Sequence, residues 1–172
     1  MLRASLTNAI DRPWTDMEPV RVGVVPPGRG TPDAFVTVER GGQPMLRIDA
    51  YAKSFPGPFR EAIVWKSFAV LGCSDVVHLI DPESRLVQTI RCDGYFGHLY
   101  PTEHSLLVAD ASRLICIDQG GRPAWESAVL GLDGVVVDQV RDGVIFGQGE
   151  WDPPGGWKPF RLSLASGRSE TH

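Results

Sequence analysis

HLIDPESRL (His78–Leu86) and ICIDQGGRP (Ile115–Pro123) align when Asp81 is laid on Asp118, an offset of 37 residues. In each, an apolar run ends in Ile-Asp and is followed by turn-forming residues. LRID (Leu46–Asp49) presents the same step 32 residues before Asp81, and RLSLASGR (Arg161–Arg168) presents it 47 residues after Asp118. The longer last interval reflects a tryptophan-rich insertion ahead of it. In the last copy a small residue, Ala165, replaces the Asp. Recurrence at this spacing marks a repeated supersecondary unit that buries its apolar faces against its neighbours. Asp81 and Asp118 sit at equivalent places in the repeat, so they read as turn caps rather than catalytic groups.

Outward from these stretches, short apolar or alternating runs are separated by Gly, Pro, Asn, Asp and Ser, the pattern of an all-β chain. Strands are expected at 21–25, 34–39, 45–49, 61–66, 68–72, 75–80, 85–90, 97–100, 106–109, 114–117, 124–127, 135–140, 144–147 and 160–164, then a short terminal strand. Arg40-Gly41-Gly42-Gln43 reads as a hairpin loop, because glycine supplies the positive φ such loops need. Tyr51–Phe59 reads as a linker stiffened by Pro56 and Pro58. Residues 1–18 are taken as a polar N-terminal arm, loose or packed on the domain edge, with a short helical turn at Leu6–Ile10. Residues 19–172 are taken as a single all-β repeat domain, of ordinary size for one domain.

Each unit reads as strand, tight turn, strand, turn, strand ending in the apolar-Asp step, turn, strand. This resembles the blade repeat of β-propellers, in particular the quinoprotein-like type, where a strand ending near "ID" is followed by a Gly-rich turn and a strand bearing an aromatic such as Trp125. The resemblance covers residues 20–172 and implies a small propeller-like array of about four antiparallel blades, the first incomplete. It implies no particular activity, since propellers host many roles. A β-sandwich or a rolled antiparallel sheet is the alternative. The GEWDPPGGW stretch, with GYFG at Gly94–Gly97, is similar to a signature of uncharacterised bacterial proteins, and that likeness carries no activity either.

Composition narrows the functional classes. The chain is 42% hydrophobic and 22% charged, with a formal net charge of −4. Nucleic acid is disfavoured as a partner, because phosphate binding needs a basic field. No apolar run approaches the roughly 18 residues of a membrane span. The start, MLRASLTNAIDRPW, lacks an apolar leader core, so a cytoplasmic location is expected. Cys73, Cys92 and Cys116 show no CxxC spacing and read as small buried hydrophobes rather than disulfide or zinc partners. The histidines His78, His98, His104 and His172 show no HxH or HExxH spacing, so no metal site is expected. No nucleophile elbow, P-loop or dinucleotide fingerprint is present, and no cofactor is expected.

GQGEWDPPGGWKPF (Gly147–Phe160) is the densest candidate site. Pro153-Pro154 stiffens the segment and Gly155-Gly156 lets it reverse. Trp151 and Trp157 offer stacking surface beside Glu150 and Asp152, the ingredients of peptide, sugar or cation recognition. The competing reading makes both tryptophans plugs of the sheet core. Glu150 and Asp152, two apart in an extended segment, share a face and suit acid–base work. Tyr95 and His98 are expected on the same rim. The leading expectation is a non-enzymatic module that engages a protein partner through this loop-rich rim, in the manner of an immunity protein neutralising a basic toxin. Two alternatives stand beside it. One is a carbohydrate binder or carboxylate-dependent hydrolase using Glu150 and Asp152. The other is a homodimer in which the chain is one half of a ring.

Overall fold

A computed structural model describes residues 1–52 and 57–170. Pro56, expected to stiffen a linker, and His172 lie outside the described residues. The chain is all-β and builds four small sheets. Among the described residues it has no α-helix, and so no helix able to cross a membrane. It divides into two compact units, Met1–Thr89 and Ile90–His172.

In the first unit, β1 (Leu2–Thr7), β2 (Val20–Gly23), β3 (Ala34–Arg40) and β4 (Gln43–Tyr51) form a sheet in the order β1-β3-β4-β2. The stretch expected as an arm therefore supplies an edge strand. LRASLT alternates apolar and polar, and Leu2, Ala4 and Leu6 pack on the core while Arg3 and Ser5 face out. The one short helical turn lies at Trp14–Asp16, beyond the expected Leu6–Ile10. This first sheet is also not a simple antiparallel blade. β2 runs parallel to β4, because the long PPGRGTPD connection returns the chain to β3 between β1 and β4. Gly41 and Gly42 join β3 to β4 with φ of 59° and 81°, as a two-residue hairpin loop requires.

The second sheet of this unit is β5 (Arg60–Trp65), β6 (Phe68–Cys73), β7 (Val76–Ile80) and β8 (Val87–Arg91), with strand order equal to chain order. The two sheets share a core in which Val36, Val38, Leu46 and Ile48 meet Ala69, Leu71 and Ile80. β6 is buried at all six positions, so FAVLGC reads as a continuous apolar run rather than an alternation.

In the second unit, β9 (Phe96–Pro101), β10 (Leu106–Asp110), β11 (Leu114–Ile117) and β12 (Pro123–Glu126) again pair in chain order. The last sheet has β13 (Val135–Arg141), β14 (Val144–Glu150) and β15 (Trp157–Ser163). The expected terminal strand is reduced to a single bridge between Leu162 and Ser169. Leu107, Ala109, Leu114 and Cys116 of one sheet pack on Val135, Ile145 and Leu162 of the other.

The repeated aspartates behave as the repeat implies at two positions. Asp81 accepts the amides of Glu83 (2.8 Å) and Ser84 (3.2 Å), and Asp118 those of Gly120 and Arg122 (both 2.9 Å). Asp49 differs: it lies inside β4, 3% exposed, in a two-point ion pair with Arg47 at 2.7 and 2.9 Å. All three cysteines are free; Cys73 and Cys116 are buried and Cys92 is half-buried. Burial pushes the Cys73 thiol up to about 11, which makes it inert.

Candidate functional site

The β14–β15 ladder runs from Val144↔Ser163 without a bulge to Glu150↔Trp157. Much of the apparent insertion is therefore extended strand, and the loop itself is Trp151–Gly156. Its closure comes from its own backbone. The Trp151 N–H donates to the Gly156 carbonyl at 3.2 Å, and the Gly155 N–H donates to Glu150 Oε1 at 2.5 Å. A Cβ on Gly156, whose φ is +62°, would lie 2.6 Å from Cβ of Asp152, so this reversal needs glycine. The Glu150 carboxylate is thus spent on holding the loop, while Asp152 is exposed in the loop.

A second segment, Val129–Gly134, supports the hairpin end. Its Leu132 N–H donates to the Glu150 carbonyl at 2.6 Å, and the Glu150 N–H donates back to Gly134 at 2.9 Å. The approach is close enough that a Cβ on Gly149 would sit 1.8 Å from the Leu130 carbonyl oxygen, and one on Gly147 would sit 2.2 Å from that of Val136. Gly149 therefore serves strand-to-loop packing, and Gly147 serves the packing of β14 between β13 and the Phe160 ring of β15. The Trp157 ring covers Gly134, where a Cβ would meet its Cη2 at 3.1 Å.

Tyr95 joins this cluster. Its hydroxyl donates to the Asp133 carbonyl at 2.8 Å, which ties the start of β9 to the supporting segment. Burial first, then Asp133 and Glu150, push its phenol up to about 12. Tyr95, Glu150 and Trp157 therefore meet around Gly134. His98 stands opposite Ala109 within β9, and its ring meets the edge of Tyr100 at a centroid distance of 6.3 Å.

This end of the sheet exposes three large apolar side chains together with Asp133, Asp152 and Lys158. Trp157 is 43% exposed, Leu132 60% and Val129 42%. Trp151 is half-buried, and the Lys158 ammonium lies 5.6 Å above its ring centroid, a cation–π contact. Beside Trp151 is a hollow of about 320 Å³, floored by Leu130 and Phe160 and walled by Val129 and Pro159. The tryptophans are thus neither core plugs nor free side chains: one lines a hollow and the other forms an exposed face.

Sequence reasoning missed Val129, Leu130 and Leu132. Their signal is AVLGLDG at 128–134, an apolar run that carries two glycines and lies between strands, where polar turn residues are the rule. Among the described residues no group of three or more His, Cys, Asp or Glu side chains is placed to hold a metal ion. No protein-family model matches this chain, and no curated protein matches it significantly in sequence.

Proposed function

We propose that this protein is a binding module that engages a protein partner through the rim built by 129–134 and 150–158. The observation that carries the reading is the apolar face of Trp157, Leu132 and Val129 beside the Trp151 hollow. Clustered exposed apolar side chains are characteristic of interaction sites, and tryptophan is enriched among the residues that carry binding energy there. The partner is a protein with a basic surface and an apolar side chain that enters the hollow. Asp133 and Asp152 are exposed on this rim against one exposed lysine, Lys158, which lies over the Trp151 ring, and the chain carries a net charge of −4, so a cationic partner meets complementary charge. An acidic neutraliser of a basic toxin has these properties.

The hydrolytic reading draws no comparable support, since the Glu150 carboxylate is engaged by the Gly155 amide. For the architecture, the reading as a propeller-like array of blades is supported by three sheets with strand order equal to chain order, two of them four-stranded, and by the recurring Asp-capped turn.

Photo-crosslinking from position 129, in the native host, tests the function. A basic protein captured by the wild type and lost from Trp157→Ala with Leu132→Asp is the expected result. With that partner purified, Trp157→Ala is expected to weaken binding by at least about thirtyfold, the effect of a hot-spot residue of roughly 2 kcal/mol. A second copy of the chain as the captured species would instead assign the face to a homodimer. Equal capture by wild type and variant would sink the proposal.

A further inference from the structure

The second unit carries a larger concavity away from the tryptophan rim. It is a groove of about 560 Å³ between β9 and β13, which are the edge strands of their two sheets. In the β13–β14 ladder, Val135 pairs with Gly149 and Arg141 with Val144. The groove takes Val137–Val140 and Leu164, so it faces the half of this ladder farther from Glu150. Its volume falls within the roughly 300–1,000 Å³ typical of small-molecule sites.

Its lining has a consistent chemistry. Leu99, Val137 and Val140 supply apolar wall, and Tyr100 supplies an aromatic ring. Two exposed carboxylates, Glu103 and Asp138, stand on opposite sides, one in the turn after β9 and one on β13. Among the described residues its lining holds no lysine or arginine, and it includes the imidazole of His104, whose Nε2 lies 3.7 Å from Glu103 Oε1. Asp138 is delivered by a backbone irregularity: the β13–β14 pairing shifts between Val137↔Gly147 and Gln139↔Phe146, so Asp138 is the extra residue of a bulge. Bulges commonly re-aim a side chain next to a site. Asp138 Oδ2 also accepts a long hydrogen bond, 3.4 Å, from Gln148 Nε2 on β14.

We propose that this groove binds a small organic cation, an amine or guanidinium carried on a short apolar chain. The carboxylates take the charge, the Tyr100 face adds cation–π attraction, and the aliphatic wall takes the methylenes. The site is independent of the partner-binding rim.

Agmatine is the probe, titrated against the full chain by calorimetry and by amide chemical shifts. Saturable binding is expected, with shifts centred on Tyr100, Asp138 and Gln139, and weakening as salt rises. Glu103→Gln with Asp138→Asn, both at exposed positions, should keep the wild-type circular dichroism and lower affinity by about tenfold or more. Trp157→Ala should leave agmatine binding unchanged, which separates this site from the rim. N-acetylarginine amide carries the same guanidinium on a peptide backbone and should bind more weakly. Any of four results would overturn the assignment: no saturable binding of agmatine, equal binding by the double variant, equal binding of the dianion glutarate, or tighter binding of the arginine amide.

Discussion

His78 shows how one residue can be locally ordinary and still govern a condition of stability. It alternates on β7 with apolar neighbours and is 4% exposed. Its Nδ1 meets Thr89 Oγ1 at 2.9 Å, while its Nε2 is buried without a hydrogen-bond partner. Burial drives its pKa down to about 4 from 6.5, against a smaller opposing pull from Asp75. The folded ring therefore stays neutral through a range where the unfolded chain takes up a proton. The unfolded state binds more protons between those two values, so stability is full above about pH 6.5 and is lost as pH falls toward 4. Within that window the loss approaches about 1 kcal/mol per pH unit. Urea midpoints measured between pH 7 and pH 5 should fall in the wild type, and His78→Gln should flatten the slope. An unchanged slope would assign the acid sensitivity to other groups. Asp81 adds in the same direction, since the amides of Ser84 and Glu83 hold its carboxyl below the usual range and that contribution disappears on protonation.

At the scale of elements, β15 shows how an incomplete sheet protects its edge. Ser163 N–H donates to Arg168, and the Arg161 carbonyl accepts from Glu170, so these two residues direct their backbone groups away from β14. By the period of two, Trp157 and Pro159 face the same open side. Proline has no N–H to offer there, which is the usual defence of an exposed edge. Pro159→Thr should restore the donor and promote concentration-dependent self-association in light scattering, with far-UV circular dichroism unchanged. A variant as monodisperse as the wild type would show that the edge needs no such guard. The strands were largely legible because alternation and turn chemistry are local. β6, β10 and β11 were legible as apolar runs between turn residues. β1 was overlooked although LRASLT has the period of a strand, because the polar and proline-bearing residues after it dominate the reading of the first eighteen. The mixed pairing of the first sheet was not legible: parallel and antiparallel partners leave the same alternation in the chain.

At the scale of the whole molecule, each unit has a core to which both of its sheets contribute. Truncating a fully buried contact within one, as in Leu107→Ala, should cost roughly 2–5 kcal/mol in equilibrium unfolding, from lost transfer energy and the cavity left behind. A loss below about 1 kcal/mol would mean that the site collapses around the missing atoms. By itself the sequence determined the all-β class, the positions of most strands, the Asp-capped turns and the reversal at Gly155-Gly156, because each depends on period or backbone preference over a few residues. Only the tertiary structure decided that the Glu150 carboxylate accepts the Gly155 amide, and that the Tyr95 hydroxyl reaches Asp133 while the His98 ring meets Tyr100. The same holds for AVLGLDG, which the fold turns into a support and an apolar face, and for β9 and β13, which it brings together to make the acidic groove. Those outcomes depend on which distant segments approach within a few ångströms, and neither residue spacing nor composition encodes that distance.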